Sequence, residues 1–209
     1  MRALALGNYK DAKYHPFTHV DTELQTIFKD HGSMECTEQY EVMDNNILAE
    51  YNLFISYTEF GEEEISDEKA SAVEDYVKNG GGFLVIHNGI SMQRNDKLAR
   101  LIGGKFTGHP EYTTLPIVIN EGTHPIVDGL SSFSMEEEPY RFELALHLET
   151  VILAEYEHDG QKWPAAWAHT HGQGRIVYLM PGHHLPSFQV GPYQELIRRA
   201  GLWAAKEHN

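Results

Sequence analysis

Apolar and polar positions follow two rhythms along this chain. In the first half, the short runs Arg2–Leu6, Leu53–Tyr57 and Phe83–Ile86 are separated by stretches with apolar positions three and four apart. Unbroken runs of that length suit strands buried on both faces, and the wider spacing suits helices laid over them. The helical spacing spans His19–His31, through Val20, Leu24, Ile27 and Phe28, and Ser66–Lys78, through Ala70, Val73 and Val77. Ser66 is placed to cap the second helix, Asp67 and Glu68 favour its positive end, and Asn79-Gly80 stops it. Met34–Gln39 reads as a strand, and Asn46–Glu50 and Asp96–Leu101 as short helices. The second half holds closely spaced strands at Leu115–Ile119, Arg141–Leu144, Val151–Tyr156, Ala165–His169 and Arg175–Leu179, then a helix over Pro192–Ala205. This order predicts a three-layer α/β sandwich with a mostly parallel central sheet and an added antiparallel segment. No repeat or linker interrupts it, so residues 1–209 are read as a single domain.

Composition narrows the class of partner. With 41% hydrophobic and 22% charged residues, the chain can bury one sizeable core. Its net charge of −15 opposes phosphate backbones and anionic lipid, so neither nucleic acid nor membrane is expected as a partner. Cys36 is the one cysteine, which rules out an intrachain disulfide and suits a small buried residue on the second strand. The apolar stretch at Met1–Gly7 is too short for a signal peptide, and no run approaches the ~20 residues that span a bilayer. A cytoplasmic location is the expectation. No glycine loop has the phosphate-binding or dinucleotide pattern, so no nucleotide cofactor is expected.

The candidate chemistry centres on histidine. The segment Gly80-Gly81-Gly82-Phe83-Leu84-Val85-Ile86-His87-Asn88-Gly89 reads as a glycine turn, a buried strand and a sharp exit. In α/β hydrolases such an exit exposes a nucleophile, and here it carries His87. Ligands of open parallel sheets bind outside the carboxyl ends of the strands. The loops at 8–19, 57–61, 87–91 and 181–188 leave such ends and carry His15, His19, Glu59, His87, His183 and His184. Neutral imidazoles from separate loops, with a carboxylate, suit a divalent transition metal such as zinc or manganese. The expected ligands are His19, His87 and His183. Glu138 is placed to act as base beside His87, and Tyr14, Glu59, His109, Tyr140 and His184 are candidate substrate contacts. His169 and His171 read as solvent-facing, and His124 as a turn residue before Ile126.

Several motifs combine along the chain: Gly80-Gly81-Gly82-Phe83 with Ile86-His87, Leu101-Ile102-Gly103-Gly104-Lys105-Phe106-Thr107-Gly108-His109-Pro110, and His124-Pro125-Ile126-Val127-Asp128-Gly129-Leu130. Glu136-Glu137-Glu138-Pro139-Tyr140, Pro164-Ala165-Ala166-Trp167, Gly172-Gln173-Gly174-Arg175, Pro181-Gly182-His183 and Gly201-Leu202-Trp203-Ala204-Ala205 follow. Together they resemble the trehalose-utilization (ThuA-like) family of the class I glutamine amidotransferase-like superfamily. The resemblance implies a flavodoxin-like fold and a link to sugar metabolism. Amidotransferases carry a cysteine at the elbow where this chain has His87, and without a thiolate no glutaminyl thioester forms. Two functions are then expected. One is an enzyme acting on a glycoside or keto-sugar, by hydrolysis or isomerisation, in a histidine-rich pocket. The alternative is a non-catalytic sugar-sensing or interaction module on the same scaffold. Pairing of copies through helices or edge strands is a further expectation for such folds.

Overall fold

The computed structural model describes residues 1–10, 12–61, 64–145 and 149–207. In chain order the elements are β1 (Arg2–Gly7), α1 (Val20–Phe28), β2 (Ser33–Thr37), α2 (Asn45–Leu48), β3 (Leu53–Tyr57), α3 (Asp67–Lys78), β4 (Gly82–Ile86) and α4 (Asp96–Ile102). They continue with β5 (Gly104–Gly108), β6 (Thr113–Ile119), β7 (Phe133–Glu137), β8 (Arg141–Leu144), β9 (Val151–His158), β10 (Gln161–His171), β11 (Gly174–Leu179) and α5 (Gly191–Ala204).

Among the described residues one nine-stranded sheet runs β2-β1-β3-β4-β11-β10-β9-β6-β7. The first five strands pair parallel and the rest pair antiparallel. The cause is visible in the side chains. β3 and β4 are buried at every position, as strands covered on both faces must be. β6 alternates buried and exposed positions, so one face meets water. α1 packs against α5, and α2 and α4 pack against α3. As expected, the Ser66 side chain caps α3 by accepting from Lys69 N–H. Pro164 sits in β10 beside register irregularities against β9, where a missing ladder donor is tolerated. No helix among the described residues is long and apolar enough to cross a membrane.

Several expectations need correction. β7 was not anticipated, because its run Phe-Ser-Met-Glu-Glu is half polar. Gly103 ends α4 in a left-handed turn, and Gly104 opens strand β5, which pairs with β8 in a separate two-stranded sheet. Gly104 lies flat against Trp167, whose ring would stand 2.6 Å from any Cβ there. His169 is buried rather than solvent-facing, with Nε2 2.9 Å from Leu101 O. Cys36 is only half-buried on the edge strand β2. His124 accepts from Ile126 N–H at 3.2 Å, as a turn residue should.

Candidate metal centre

The parallel strands β1, β3, β4 and β11 deliver their exits to one edge of the sheet. At the exit of β4, His87 adopts φ 45°, in the left-handed region. A non-glycine residue there costs ~1–2 kcal/mol, so its surroundings must hold it. Gly89 lets the following turn pass the β3 backbone, since a Cβ there would stand 2.4 Å from Ser56 O. Tyr178 donates to His87 O at 3.2 Å. The His87 ring is fully buried, with Nδ1 2.7 Å from Met180 O. A carbonyl only accepts, so Nδ1 carries a proton and Nε2 is the nitrogen turned to the other three groups.

The other three groups arrive separately. After β1 the segment His15-Pro16-Phe17 alternates in, out and in. Phe17 is fully buried over Gly7 and fixes His15 inward. His15 Nδ1 lies 3.1 Å from Glu59 Oε2, and Asn8 Oδ1 accepts from Glu59 N–H. His183 follows β11, and Glu138 follows β7. The preceding residue, Glu137, is fully buried and joins these two segments. Its Oε2 accepts from Gly182 N–H at 2.7 Å and Ser187 Oγ–H at 2.8 Å. Its Oε1 accepts from Glu138 N–H at 2.9 Å and His183 N–H at 3.2 Å.

One ligand atom from each of His15, His87, Glu138 and His183 lies within 4.8 Å of the other three. His15 Nε2, His87 Nε2, His183 Nδ1 and Glu138 Oε2 are all buried without a hydrogen-bond partner among the described residues. Glu138 Oε2 is 3.1 Å from His183 Nδ1 and 3.4 Å from His87 Nε2. Tetrahedral zinc bonds near 2.0–2.1 Å set donor atoms roughly 3.3 Å apart. The donor set and spacing therefore fit a small divalent transition ion. The outer partners fit as well, because His15 and His87 each give their second ring nitrogen to an acceptor.

The electrostatics hold His15 and Glu138 in the forms a metal ligand needs and His183 toward its protonated form, which an ion would have to displace. Burial, reinforced by His87 and His183, pushes His15 down to about 3, which keeps it neutral. Burial would raise the Glu138 carboxyl, but His183 and His87 beside it more than reverse this and hold it well below the usual range. His183 is raised by its contact with Glu138.

His87, His183 and Glu138 thus stand together as a group. His19 stands apart, exposed at the N-cap of α1 in a left-handed conformation, and His15 supplies the third imidazole. The inward alternation anchored by Phe17 ends before His19. Tyr140 stacks on His87 with ring centres 4.1 Å apart. His109 is 3.9 Å from Glu138 Oε1. His184 lies beside His183 and 3.3 Å from Tyr112 OH. Tyr14 is exposed under the Lys13 ammonium. A cavity of about 530 Å³ adjoins the group, and His15, Glu59, Asn88 and Tyr140 line it. Glu137 and Asn88 were missed as site residues. Strand parity would have flagged Glu137, which shares the inward register of Phe133 and Met135.

The sequence matches the ThuA family model, described as trehalose utilisation, over residues 8–204. No curated protein matches it. Among solved structures, a ThuA-like protein of Bacteroides uniformis superposes with a TM-score of 0.82 at 18% identity, covering 98% of this chain and 91% of that one. A ThuA-like protein of Parabacteroides merdae gives 0.80 at 18%, covering 98% and 90%. A β-galactosidase from Bacillus circulans sp. alkalophilus gives 0.62 at 16% over 95% of this chain and 31% of that chain. At these identities the likeness is one of fold.

Proposed function

The chain belongs to the ThuA family, trehalose utilisation, and on that premise we propose that it acts on a glycoside or keto-sugar at a divalent metal centre held by His15, His87 and His183 with Glu138. The observation that carries this reading is the convergence of four buried potential ligand atoms, all within 4.8 Å of one another. His15 Nε2 has no partner among the described residues, and a shared cation would meet it together with the facing atoms of His87, His183 and Glu138. Three imidazoles and one carboxylate oxygen favour zinc over manganese, which prefers oxygen donors. When bound, such an ion supplies Lewis acidity toward a carbonyl or glycosidic oxygen.

The protein groups then have separate tasks. Met180 O and the Glu59 carboxylate fix the tautomers of His87 and His15. Glu138 stays a carboxylate: with Oε2 turned to the ion, its Oε1, 3.9 Å from His109 Nδ1, is the atom left to accept a proton from water or a sugar carbon. Tyr140 walls the site against His87 and presents an apolar face to the cavity. The elbow offers no Ser or Cys, so its side chain forms no covalent bond to the sugar. That same missing nucleophile supports the second reading, a sugar-sensing module without turnover.

The test is metal analysis of protein purified without a histidine tag, then calorimetric titration of the chelated protein with zinc and with manganese. Zinc is expected to bind stoichiometrically and far more tightly than manganese. His15→Ala, His87→Ala and His183→Ala should each weaken it 100-fold or more, on the order of one lost ligand, and His19→Ala should not. Equal zinc affinity in His19→Ala and His87→Ala variants sinks the centre. Turnover of trehalose-type and keto-sugar substrates by zinc-loaded protein separates enzyme from sensor.

A further inference from the structure

The chain is acidic overall, with 31 acidic residues against 16 basic, yet one stretch reverses the sign. From Tyr76 to Pro110 it holds five cations, Lys78, Arg94, Lys97, Arg100 and Lys105, and a single acid, Asp96. Two of those cations, Arg94 and Lys105, line the cavity of about 530 Å³ beside the histidine group. Gln93 holds their segments together, accepting from Phe106 N–H at 2.6 Å and donating to Phe106 O at 3.2 Å. Gln93 precedes Arg94 and Phe106 follows Lys105, so this clamp brings both cationic residues to one wall. In a chain whose overall field repels anions, positive charge kept at a cavity draws them to that spot.

The cavity has two acids as well, and both have other work. Glu59 turns Oε2 to His15 Nδ1 at 3.1 Å, which sets its charge at the histidine group. Asp96 sits in the first turn of α4, where a helix start favours a carboxylate. Lys97, one turn further, is spent on α3, donating to Ser71 Oγ at 2.6 Å with Glu74 3.9 Å away. Lys105 differs. Its ammonium has no hydrogen bond or ion pair among the described residues, and Glu143, which faces it across the β5–β8 ladder, forms none with it. An anionic substituent is therefore repelled from the histidine end by Glu59 and drawn to Lys105. Phe106 and Tyr140, with ring centres 4.4 Å apart, span the interval, and Tyr140 stacks on His87. Such aromatic surface suits the C–H face of a sugar ring.

We infer that the cavity takes a sugar bearing an anionic substituent, a carboxylate or a phosphate, with Lys105 binding the anion, Arg94 beside it, and the ring resting on Phe106 and Tyr140 toward the His15–His87–Glu138–His183 centre. The inference rests on the sugar reading above and narrows it to acidic sugars. Its test is calorimetric titration of wild type, Lys105→Gln and Lys29→Gln proteins with D-glucose, D-glucuronate and D-glucose 6-phosphate, at low and high salt. Lys29 is an exposed residue at the end of α1, away from the cavity, so its loss changes the net charge equally. Each protein is measured zinc-loaded and again after chelation, because a bound ion attracts anions by itself.

Wild type is expected to bind glucuronate or glucose 6-phosphate at least ~10-fold more tightly than glucose, as one charge-assisted hydrogen bond provides. Whichever of the two holds the advantage names the anion. The preference should shrink in high salt and survive chelation. Lys105→Gln should bind the anionic sugars at the glucose level with glucose affinity unchanged, and Lys29→Gln should keep the wild-type preference. Anionic sugars bound no more tightly than glucose by wild type overturn the inference. So does a preference that persists in Lys105→Gln, or one lost equally in Lys29→Gln. A preference that vanishes on chelation puts the anion on the ion and overturns it too. Wild type that binds none of the three sugars overturns the sugar reading along with it. Failure to bind zinc, with the preference intact in the chelated protein, overturns the metal reading alone.

Discussion

Glu137 joins β7 to the loop that carries His183, and replacing it by glutamine isolates that role. Glu137→Gln keeps the shape and exchanges one acceptor oxygen for an N–H2. If the nitrogen takes the Oε2 position, Ser187 can turn its hydroxyl to accept, but Gly182 N–H, 2.7 Å away, meets a donor. In the other orientation Glu138 N–H loses its acceptor and His183 N–H keeps only Oε2, 3.3 Å away. The first arrangement is the cheaper. It forfeits one charge-assisted bond, ~1.5–3 kcal/mol, and leaves one buried donor unpaired, ~1–3 kcal/mol. Removal of a buried charge offsets part of this, leaving a net loss of ~3 kcal/mol. For a chain of this size each kcal/mol lowers the melting temperature by ~2–4 °C, so calorimetry of the metal-free protein should show a fall of ~6–12 °C. Zinc affinity should drop ~10–100-fold, as for other outer partners of metal ligands, since His183 is no longer held against Glu138. A variant melting within ~2 °C of wild type with unchanged zinc affinity would refute the reasoning.

Two further outcomes follow from the same geometry. In the metal-free protein His15 stays neutral down to about 3, whereas in the unfolded chain it takes a proton near ~6.5. Between those values the unfolded state binds the extra proton, so stability falls with acid by up to ~1.4 kcal/mol per pH unit. Glu138, held low, adds a loss in the same direction below its usual value of 4.5. His183, held high, contributes oppositely, its share being lost as pH rises through its folded value. Urea melts from pH 4.5 to 7 should therefore be flatter for His15→Gln than for wild type, and parallel profiles would contradict the assignment. At the elbow, Gly89→Ala drives a Cβ to 2.4 Å from Ser56 O. Overpacking against backbone should cost ~2–3 kcal/mol, read as a lowered urea midpoint, and a wild-type midpoint would argue against the tight elbow.

The parallel half of the sheet was legible because burial on both faces leaves unbroken apolar runs, and β1, β3 and β4 fall where those runs lie. β7 escaped because a half-polar edge strand looks like a loop, and with it went the inward parity that exposes Glu137. The exit of β4 at His87 was readable from its glycines and apolar strand, and the backbone there is indeed left-handed. The exchange of His19 for His15 was not readable by counting. It depends on Phe17 entering the core over Gly7, a contact between segments that no local period encodes.

The position of β11 between β4 and β10 has a consequence for biogenesis. During synthesis, the earlier parallel strands and the later antiparallel ones each leave the ribosome with a naked rim. The strand that seals both rims is the last made, and the loop bearing His183 comes after it. Closing partners so far apart in the chain is slow, and open strand rims invite pairing with other chains. The nascent protein is thus most vulnerable to misassociation just before its final sixth emerges, and a ribosome stalled before Gly174 should leave a chaperone-dependent, aggregation-prone chain.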